Sequence, residues 1–345
     1  MARADITVRG AGIFGLSIAF ACQQRGARVR LVDPHGPGAG ASGGLVGALA
    51  PHVPENWNDK KAFQLDSLLM AESFWSDVER LGGVSAGYGR MGRLQPISDD
   101  HALSLARERT KGAQALWRGQ ALWEVIPHDP GNPFCPHAPS GFVIHDTLSA
   151  RIHPRRACAA LSAALTALGV PMETQAPDEG VVIWATGWQG LESLSGVLGR
   201  KIGDGVKGQA ALLGYNAPDA AQVFCDGLHI VPHADGTVAI GSTSERDWKA
   251  PHSVDDQIEH LIDKARRALP CLVDAPVLER WAGIRPRART RAPLVGEWPG
   301  RAGHFIANGG FKIGFGMAPK IAEAMADLVL TGDASNIPEG FRLMA

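Results

Sequence analysis

The stretch ITVRGAGIFGLSIAF, residues 6–20, determines the fold of the first part of the chain. A short β-branched run leads into three glycines with G-x-G-x-x-G spacing, and the residues after them carry apolar side chains at helical spacing. Gly26 lies where such a helix would end, and RVRLVD (28–33) is typical of a second strand. The order of strand, glycine turn, helix and strand predicts a βαβ unit of the dinucleotide-binding kind.

The three glycines each have a separate role in such a unit. Gly10 permits the tight turn, Gly12 leaves room for phosphates, and Gly15 lets the helix pack closely on the strand. Unpaired N–H groups at the start of the helix then face a pyrophosphate. Asp33 ends the second strand about twenty residues further on, where a carboxylate binds ribose hydroxyls. We therefore predict a dinucleotide site at this turn.

Small residues continue after Asp33 in PHGPGAGASGGLVGALAPHVPEN (34–56), where a nicotinamide-dependent enzyme would usually begin another helix. The part GASGGLVGALAPHVPE (40–55) resembles the flavin-contacting loop of the D-amino-acid oxidase and glycine oxidase family, which also includes sarcosine oxidases and D-amino-acid dehydrogenases. The resemblance implies that the dinucleotide is FAD and that its ring system lies against nearly bare backbone. The residues concerned are Ala41, Ser42, Gly43, Gly44 and Gly47. The alternative is a flexible glycine linker, and the apolar residues that follow directly argue against it.

Two later segments resemble the same family. EGVVIWATGWQG (179–190) is typical of a buried strand that runs into a turn, and this turn is similar to a second flavin signature in which Gly187 contacts the cofactor. NGGFKIGFGMAP (308–319) resembles the C-terminal flavin loop, whose N–H groups and helix start would face the pyrimidine edge of the reduced flavin. Its candidate contacts are Gly309, Gly310, Phe311, Lys312, Ile313 and Gly314. Lys312 either adds a charge there or is a solvated lysine.

The resemblance also indicates how FAD is held and where the chain departs from its relatives. Relatives that bind flavin covalently have a cysteine in the C-terminal loop, and this loop has none, so we predict non-covalent FAD. Residues 171–180 are shorter than the corresponding section of most relatives, which forms extra strands near the adenine. The adenine contacts are therefore unassigned, and Thr174 and Gln175 would be guesses.

The motifs return at intervals along the chain, which predicts two interleaved domains in an α/β fold. One is a Rossmann-type FAD-binding domain, and the other is a smaller α+β substrate domain with a mainly antiparallel sheet. The FAD-binding domain is predicted to comprise residues 1–86, 141–204 and 286–345, and the substrate domain residues 87–140 and 205–285. Helices are predicted over 61–83, 101–117 and 151–171, and a loop over AGIRPRARTRAPLVG (282–296).

Composition narrows the function classes. The chain has 345 residues, 45% hydrophobic and 20% charged, which is ordinary for a globular protein of about two domains. A net charge of -1 argues against nucleic-acid binding.

No apolar run approaches the ~18 residues of a membrane span, and because the first strand begins so early, we expect no signal peptide. Five cysteines without C-x-x-C spacing indicate reduced thiols and no metal site. We expect a cytoplasmic protein, with a homo-oligomer left open.

Arg285 is the candidate substrate anchor. It lies in RWAGIRPRARTRAPLVG (280–296), at the position of the substrate arginine in the AGLRP segment of glycine oxidase. A guanidinium group matches a carboxylate with two parallel hydrogen bonds. The alternative is that Arg285 forms an ion pair at the surface. This alternative stays open because three more arginines lie close by in the sequence, Arg287, Arg289 and Arg291.

Two histidines and a tryptophan are further candidates for the pocket. His229 takes the position of a pocket tyrosine in glycine oxidase and could pair with the substrate or change its charge near neutral pH, unless it is a strand-edge histidine. His52 follows the flavin loop and lies either beside the isoalloxazine or in a structural hydrogen bond. The chain has only Tyr88 and Tyr215, so Trp281 is the candidate aromatic lining.

The resemblance implies FAD-dependent oxidative deamination of a small amino acid or N-substituted glycine. A hydride leaves the α carbon for flavin N5, and water hydrolyses the resulting imine to a 2-oxo acid and an amine. Electrons then pass to oxygen, or, as an alternative, to a quinone or carrier protein in a D-amino-acid dehydrogenase. Three more functions are weighed against this one: an NAD-dependent dehydrogenase, the flavin domain of a tRNA-modifying enzyme, which the neutral charge disfavours, and a catalytically vestigial flavin-binding protein.

Overall fold

The computed structural model describes residues 3–343, so the outermost residues of the predicted FAD-binding domain, 1–2 and 344–345, lie outside it. The helices are α1 (Ile13–Gln24), α2 (Asp59–Gly82), α3 (Asp100–Leu116), α4 (Pro154–Ala167), α5 (Gly187–Leu198), α6 (Gln257–Ala268) and α7 (Gly314–Thr331). Short 3₁₀ turns lie at Ala41–Gly43, Pro270–Leu272 and Glu339–Phe341. None of the helices within 3–343 is long and apolar enough to cross a membrane.

The first sheet is the predicted dinucleotide-binding sheet. Its strands are β1 (Ile6–Arg9), β2 (Val29–Val32), β8 (Met172–Glu173), β9 (Val181–Trp184), β15 (Leu294–Glu297) and β16 (His304–Asn308). They lie in the order β15-β16-β9-β1-β2-β8, and all neighbouring pairs are parallel except β15 with β16. One face of this sheet buries Val8, Leu31 and Ile183 in the main core, which it shares with α1, α4 and α7. Nearly every residue of α1 is apolar and buried, so this helix packs directly on the sheet.

The second sheet is mainly antiparallel, as predicted. Its strands are β4 (Arg93–Pro96), β5 (Trp123–Pro127), β6 (Phe142–Asp146), β10 (Gly203–Gly214), β11 (Gln222–Cys225), β12 (Leu228–Pro232), β13 (Thr237–Gly241) and β14 (Val277–Ala288). Their order is β14-β10-β13-β12-β11-β4-β6-β5, with β11 and β4 the parallel pair. Helix α6 covers one face through Ile258, Ile262 and Ala265, which leaves the other face toward the first sheet. A small ribbon of β3 (Ala48–Leu49) and β7 (Ala150–Arg151) lies beside the flavin loop.

The predicted helices over 61–83, 101–117 and 151–171 are confirmed as α2, α3 and α4. Asn58 begins α2 by accepting the N–H of Lys61 at 3.1 Å, and Gly83 ends it in the left-handed region at φ 65°. Helix α4 begins at Pro154. Proline suits the first helical position because an N–H there would have no acceptor within the helix.

The predicted loop over residues 282–296 is wrong at both ends, because residues 282–288 belong to β14 and residues 294–296 to β15, so only residues 289–293 form a loop. Residues 282–288 continue the edge strand β14, which pairs with β10 as far as Ala288. A proline has no N–H and therefore breaks the hydrogen-bond ladder in the interior of a sheet. On the edge strand β14, Pro286 faces away from β10, and its carbonyl accepts the N–H of Phe311 at 3.0 Å. The pairing with β10 needs no N–H from Pro286, so the strand continues through this residue. Arg285 therefore lies on a strand and not on a loop.

The sheets also refine the proposed domain boundaries. Strand β6 pairs with β4 and β5, so residues 142–146 belong with the second sheet although the proposed division places them in the FAD-binding domain. Strand β14 likewise crosses the proposed boundary after residue 285. The chain path enters the second sheet twice, and the division into two interleaved domains stays a prediction.

Candidate active site

The glycine turn after β1 places no side chain of Gly10 or Gly12 over the start of α1. Gly10 has φ +101°, and a Cβ there would lie 2.3 Å from the carbonyl oxygen of Ala185. A Cβ at Gly15 would lie 1.8 Å from the carbonyl oxygen of Gly10, so helix and strand can approach this closely only with glycine. At Gly12 the nearest atom to a Cβ would be the Ser42 Oγ, at 3.2 Å. The turn therefore fits a pyrophosphate at the helix start.

Asp33 ties the end of β2 to the glycine turn. Its Oδ2 accepts the N–H of Ala11 at 2.7 Å, and its Oδ1 accepts the N–H of His35 at 2.8 Å. Each carboxylate oxygen can accept a further hydrogen bond, so binding of ribose hydroxyls by Asp33 stays a prediction that this geometry permits.

The early flavin loop, residues 41–47, connects the two sheets. Ser42 Oγ accepts the N–H of Ile13 at 2.9 Å. A Cβ at Gly47 would lie 1.6 Å from the carbonyl of Ile152, and one at Gly43 would lie 2.5 Å from the carbonyl of Gly38, so these two glycines face the protein's own backbone. Gly44 instead faces the Trp281 ring, at 3.2 Å from a built Cβ. Ala41 and Ser42 form the 3₁₀ turn with Gly43.

Residues that sequence analysis missed hold this loop in place. His233, which is 1% exposed, bonds through its Nε2 to the carbonyl oxygen of Leu45 at 3.0 Å. Arg155 donates from Nε to the carbonyl of Gly43 at 2.8 Å and pairs with Glu279 on β14. Both contacts join distant parts of the chain, so no local pattern in the sequence could have indicated them.

The late flavin loop, residues 309–314, packs between α1 and β14. A Cβ at Gly310 would lie 2.8 Å from the Phe14 ring, and Gly309 has φ +77°. Phe311 has φ +44°, an uncommon conformation for a non-glycine residue. Ile313 donates its N–H to the carbonyl of Gly310 at 2.9 Å, and α7 begins at Gly314. Across the site Asn308 Nδ2 donates to the carbonyl of Gly187 at 2.8 Å, which joins this loop to the turn after β9.

The open face of the second sheet brings the substrate candidates into one row. The register pairs His229 with Gly241, Gly241 with Ala210, and Ala210 with Trp281, so their side chains share a face. Arg285 lies on the same face of β14, because positions 281, 283 and 285 alternate with those on the other face.

A pair of facing glycines makes room for these side chains. Gly208 pairs with Gly283. A Cβ at Gly208 would lie 2.4 Å from Arg285 Nη2, and a Cβ at Gly283 would lie 2.3 Å from the Trp281 ring. Sequence analysis did not select either glycine, because only the strand register places them opposite each other.

Arg285 is held firmly by the protein and keeps part of its guanidinium free. Nη2 donates to the carbonyls of Thr243 at 2.6 Å and Lys207 at 3.2 Å, and Nη1 donates to Ser242 Oγ. Nε is buried and has no hydrogen-bond partner within residues 3–343. Burial lowers the pKa of Arg285 to about 10, against a smaller opposite effect of Glu245. A buried, unpartnered donor on a cationic group is suited to bind an anion.

Three cations surround the Phe311 ring. Its centroid lies 5.3 Å from the Arg285 guanidinium carbon, 5.7 Å from that of Arg287 and 5.9 Å from Lys312 Nζ. Burial, and then Arg285, lower the pKa of Lys312, although the side chain remains exposed. None of these three cations forms an ion pair with a carboxylate of residues 3–343, although the Glu245 carboxylate raises the pKa of Arg285 from further away.

His229 is neutral in this environment. Burial, and then Arg93 and Lys312, lower its pKa to about 3, which disfavours a change of charge near neutral pH and leaves the role of His229 in the pocket a prediction. Its ring packs 4.6 Å from Phe224, and its Nδ1 is buried without a partner in the described chain. The neighbouring Arg93 forms a buried ion pair with Asp146 at 2.8 Å, another contact that the sequence does not indicate.

His52 is placed in a structural hydrogen bond. Gln64 Oε1, from α2, accepts the backbone N–H of His52 at 2.9 Å and also contacts its Nδ1. Burial lowers the pKa of His52, with smaller effects of Lys60 and Lys61 in the same direction. The contacts support the structural alternative and leave a catalytic role for His52 a prediction.

The short section 171–180 crosses the outer face of the first sheet as a single segment. The carbonyl of Ala176 accepts from Arg9 at 3.0 Å, Asp178 pairs with Arg9, and Glu179 pairs with Arg30 at 3.2 Å. The segment follows β8 directly beside Asp33, whose N–H donates to the carbonyl of Glu173 at 2.9 Å. The adenine contacts remain unassigned.

Comparison with known proteins identifies the class. The model of the DAO family, FAD dependent oxidoreductases, matches residues 5–328, and the chain belongs to this family. This membership confirms the predictions of FAD as the cofactor and of a flavin oxidoreductase of the resembled family.

Individual relatives are similar over nearly the whole chain. The glycine oxidase of Geobacillus kaustophilus is 25% identical over 95% of this chain and 93% of its own length. The bifunctional protein ThiO/ThiG of Trichormus variabilis is 26% identical over 94% of this chain, which spans about half (52%) of that relative's length.

Solved structures share the fold. Glycine oxidase from Geobacillus kaustophilus superimposes with a TM-score of 0.85 at 20% identity, covering 100% of this chain and 99% of that one. Iminodiacetate oxidase from Chelativorans sp. BNC1 gives 0.83 at 20% identity, covering 98% of both chains. These likenesses confirm the predicted α/β fold class.

Proposed function

We propose that this protein oxidises the carbon–nitrogen bond of a small amino acid or N-substituted glycine, with Arg285 binding the carboxylate. The observation that carries the proposal is the buried, unpartnered Nε of Arg285 on a sheet face opposite two loops shaped for a flavin. Glycine oxidase and iminodiacetate oxidase are named for substrates of this kind, which supports the assignment.

FAD, bound at the glycine turn and the two flavin loops, supplies an acceptor for the hydride that leaves the substrate's α carbon. The nitrogen lone pair forms the C=N bond of the imine, a proton leaves the nitrogen, and water then yields the 2-oxo acid and the amine. The task of the protein is to hold the carbon–hydrogen bond toward the acceptor. Arg285 does this by fixing the carboxylate at one end of the substrate.

The cations at the site also set the protonation state of the substrate. Arg285, Arg287 and Lys312 disfavour a further positive charge nearby, so they lower the pKa of a bound ammonium group. A neutral amine has the lone pair that the oxidation requires. His229, with its lowered pKa, adds no competing charge. No side chain is needed as a strong base.

The same cations favour substrates with more than one carboxylate. Lys312 and Arg287 have no carboxylate partner within residues 3–343, and both lie beside the Arg285 guanidinium across Phe311. An iminodiacetate-like substrate would place its first carboxylate on Arg285 and its second near Lys312. We propose N-substituted glycines of this kind as the first compounds to test.

Anaerobic mixing of the FAD-loaded protein with glycine, sarcosine, iminodiacetate and D- and L-amino acids tests the proposal. We expect loss of the visible flavin absorption with at least one of them, and with none of the matched amines that lack a carboxylate. Admitting air then separates an oxidase, which regains its colour at once, from a dehydrogenase, which needs a quinone or carrier. An FAD-loaded protein that no compound reduces would contradict the proposal and leave the vestigial protein and the tRNA-modifying enzyme as alternatives.

A further inference from the structure

The segment after β13 follows β10 but breaks its hydrogen-bond ladder. Glu245 and Lys207 exchange two backbone hydrogen bonds of 2.9 Å each. Between them and Gly241 the N–H of Thr243 still donates to the carbonyl of Gln209 at 3.2 Å, but Thr243 Oγ1 takes the place of the Thr243 carbonyl and accepts the N–H of Gln209 at 2.8 Å. The carbonyl of Thr243 is thereby left outside the ladder, and it accepts from Arg285 Nη2 at 2.6 Å.

A buried polar network holds this broken segment in place. The Oε1 of Glu245 accepts from Thr243 Oγ1 at 2.5 Å and from Gln209 Nε2 at 3.1 Å, and its Oε2 lies 3.3 Å from Lys207 Nζ. Lys207 is 4% exposed and Gln209 is fully buried. Asp255 adds a second carboxylate, which accepts from Gln209 Nε2 at 2.7 Å.

The network lies behind the substrate anchor. Lys207 and Gln209 point to the opposite face of β10 from Gly208, over which the Arg285 guanidinium lies. The network therefore has no direct access to a substrate on the Arg285 side. Its connection to the site runs through the carbonyls of Thr243 and Lys207 and the hydroxyl of Ser242.

We propose that Glu245, together with Gln209 and Lys207, is a positioning residue that holds the Arg285 guanidinium at the angle at which it binds the substrate carboxylate. The proposal rests on the proposed function and extends it to a part of the molecule that substrate does not reach. A buried ion pair contributes little net stability compared with apolar residues of the same size. What it adds here is a single geometry for residues 242–245, since three different donors converge on one carboxylate.

The test variant is Glu245→Gln, which keeps the size of the side chain and removes its charge. We expect the dissociation constant of a carboxylate substrate, from anaerobic single-turnover reduction, to rise about tenfold. We expect the limiting reduction rate and the FAD content to change by less than about threefold, because an already bound substrate still faces the flavin. The substrate is the best reducing compound among those named under the proposed function.

The matched control is Glu259→Gln, which removes the charge of the Glu259 pair with Arg280 on the same strand as Arg285. Its ion pair lies outside the network around Glu245, and we expect an unchanged dissociation constant. Thr243→Val provides the second test, because it removes the hydroxyl that Glu245 and Gln209 share while leaving every charge in place, and we expect the same direction of change.

An unchanged dissociation constant in FAD-loaded Glu245→Gln or Thr243→Val would overturn the positioning role. An equal rise for the neutral methyl ester of the substrate would also overturn it, since the ester does not depend on the guanidinium charge. Failure of the proposed function is distinguishable, because there the unaltered protein is reduced by no amine at all. In that event acetate binding, read from the flavin spectrum, reports on Arg285, and equal acetate affinity in the variant overturns the proposal.

Discussion

The two sheets of this protein form their sites from different atoms. At the first sheet the site is backbone: the turn at Gly10, the close contact at Gly15 and the start of α1. At the second sheet it is side chains, with Arg285, Trp281 and His229 on one face. A backbone site is encoded by glycine spacing within a few residues, whereas a side-chain site depends on which strands pair and in what register. The first kind is therefore much easier to read from a sequence than the second.

The largest effect should come from the backbone site. Gly15→Ala places a methyl group 1.8 Å from the carbonyl oxygen of Gly10, so helix α1 must move away from β1. We expect destabilisation by about 3 kcal/mol or more and loss of bound FAD, measured by chemical denaturation and by flavin absorbance. Gly196→Ala is the control, because Gly196 lies on α5, away from the glycine turn, with open space around it and no positive φ. Normal FAD binding by Gly15→Ala would show that close packing at this turn is not required.

Arg285→Met should break the side-chain site and leave the backbone site intact. Loss of a charged, carboxylate-binding donor removes about 2–4 kcal/mol, or about 30- to 1000-fold in substrate affinity. The bound flavin spectrum should not change. Anaerobic titration with the best carboxylate substrate measures the affinity, and Arg289→Met, in the exposed turn after β14, is the control. Equal affinities in both variants would remove Arg285 from the site.

Lys312→Met sharpens the comparison within the side-chain site. We expect the affinity for iminodiacetate to fall about tenfold and that for sarcosine to change little, because only the former has a second carboxylate within reach of Lys312. Initial rates over a range of substrate concentrations measure both. Parallel losses for the two compounds would assign Lys312 to the flavin instead, as the alternative in which its charge lies near the pyrimidine edge.

The remaining expected effect concerns stability below neutral pH and lies outside the comparison of binding affinities. The pKa of His229 is about 3 in the folded protein and 6.5 ordinarily, so below pH 6.5 the unfolded chain binds a proton that the folded chain does not. Folding stability should fall as the pH drops from 6.5 toward 4. His229→Gln should reduce this fall by up to about 1.4 kcal/mol per pH unit, measured by urea unfolding at several pH values. Identical pH slopes would show that His229 already titrates normally in the folded protein.

The cofactor half of the proposed site, and part of its substrate half, could be predicted from the sequence. The glycine turn and Asp33 follow from local patterns, whereas the two flavin loops and Arg285 were predicted from the resemblance to a family, even though the segment of Arg285 was predicted as a loop. Gly208 and Gly283, the Lys207–Glu245 pair and the His233 contact to Leu45 could not be found in this way. Each depends on residues far apart in the chain that meet only through strand pairing. The charge of His229 likewise depends on burial, which the residue type does not reveal.

The most direct test of the central claim is a crystal structure of the protein with FAD and acetate, the simplest carboxylate. We predict the isoalloxazine between residues 41–47 and 309–314, and the acetate within hydrogen-bond distance, about 3 Å, of Arg285 Nε. Acetate bound elsewhere, while Arg285 keeps its contacts to Thr243, Lys207, Ser242 and Ser244 and no others, would contradict the account.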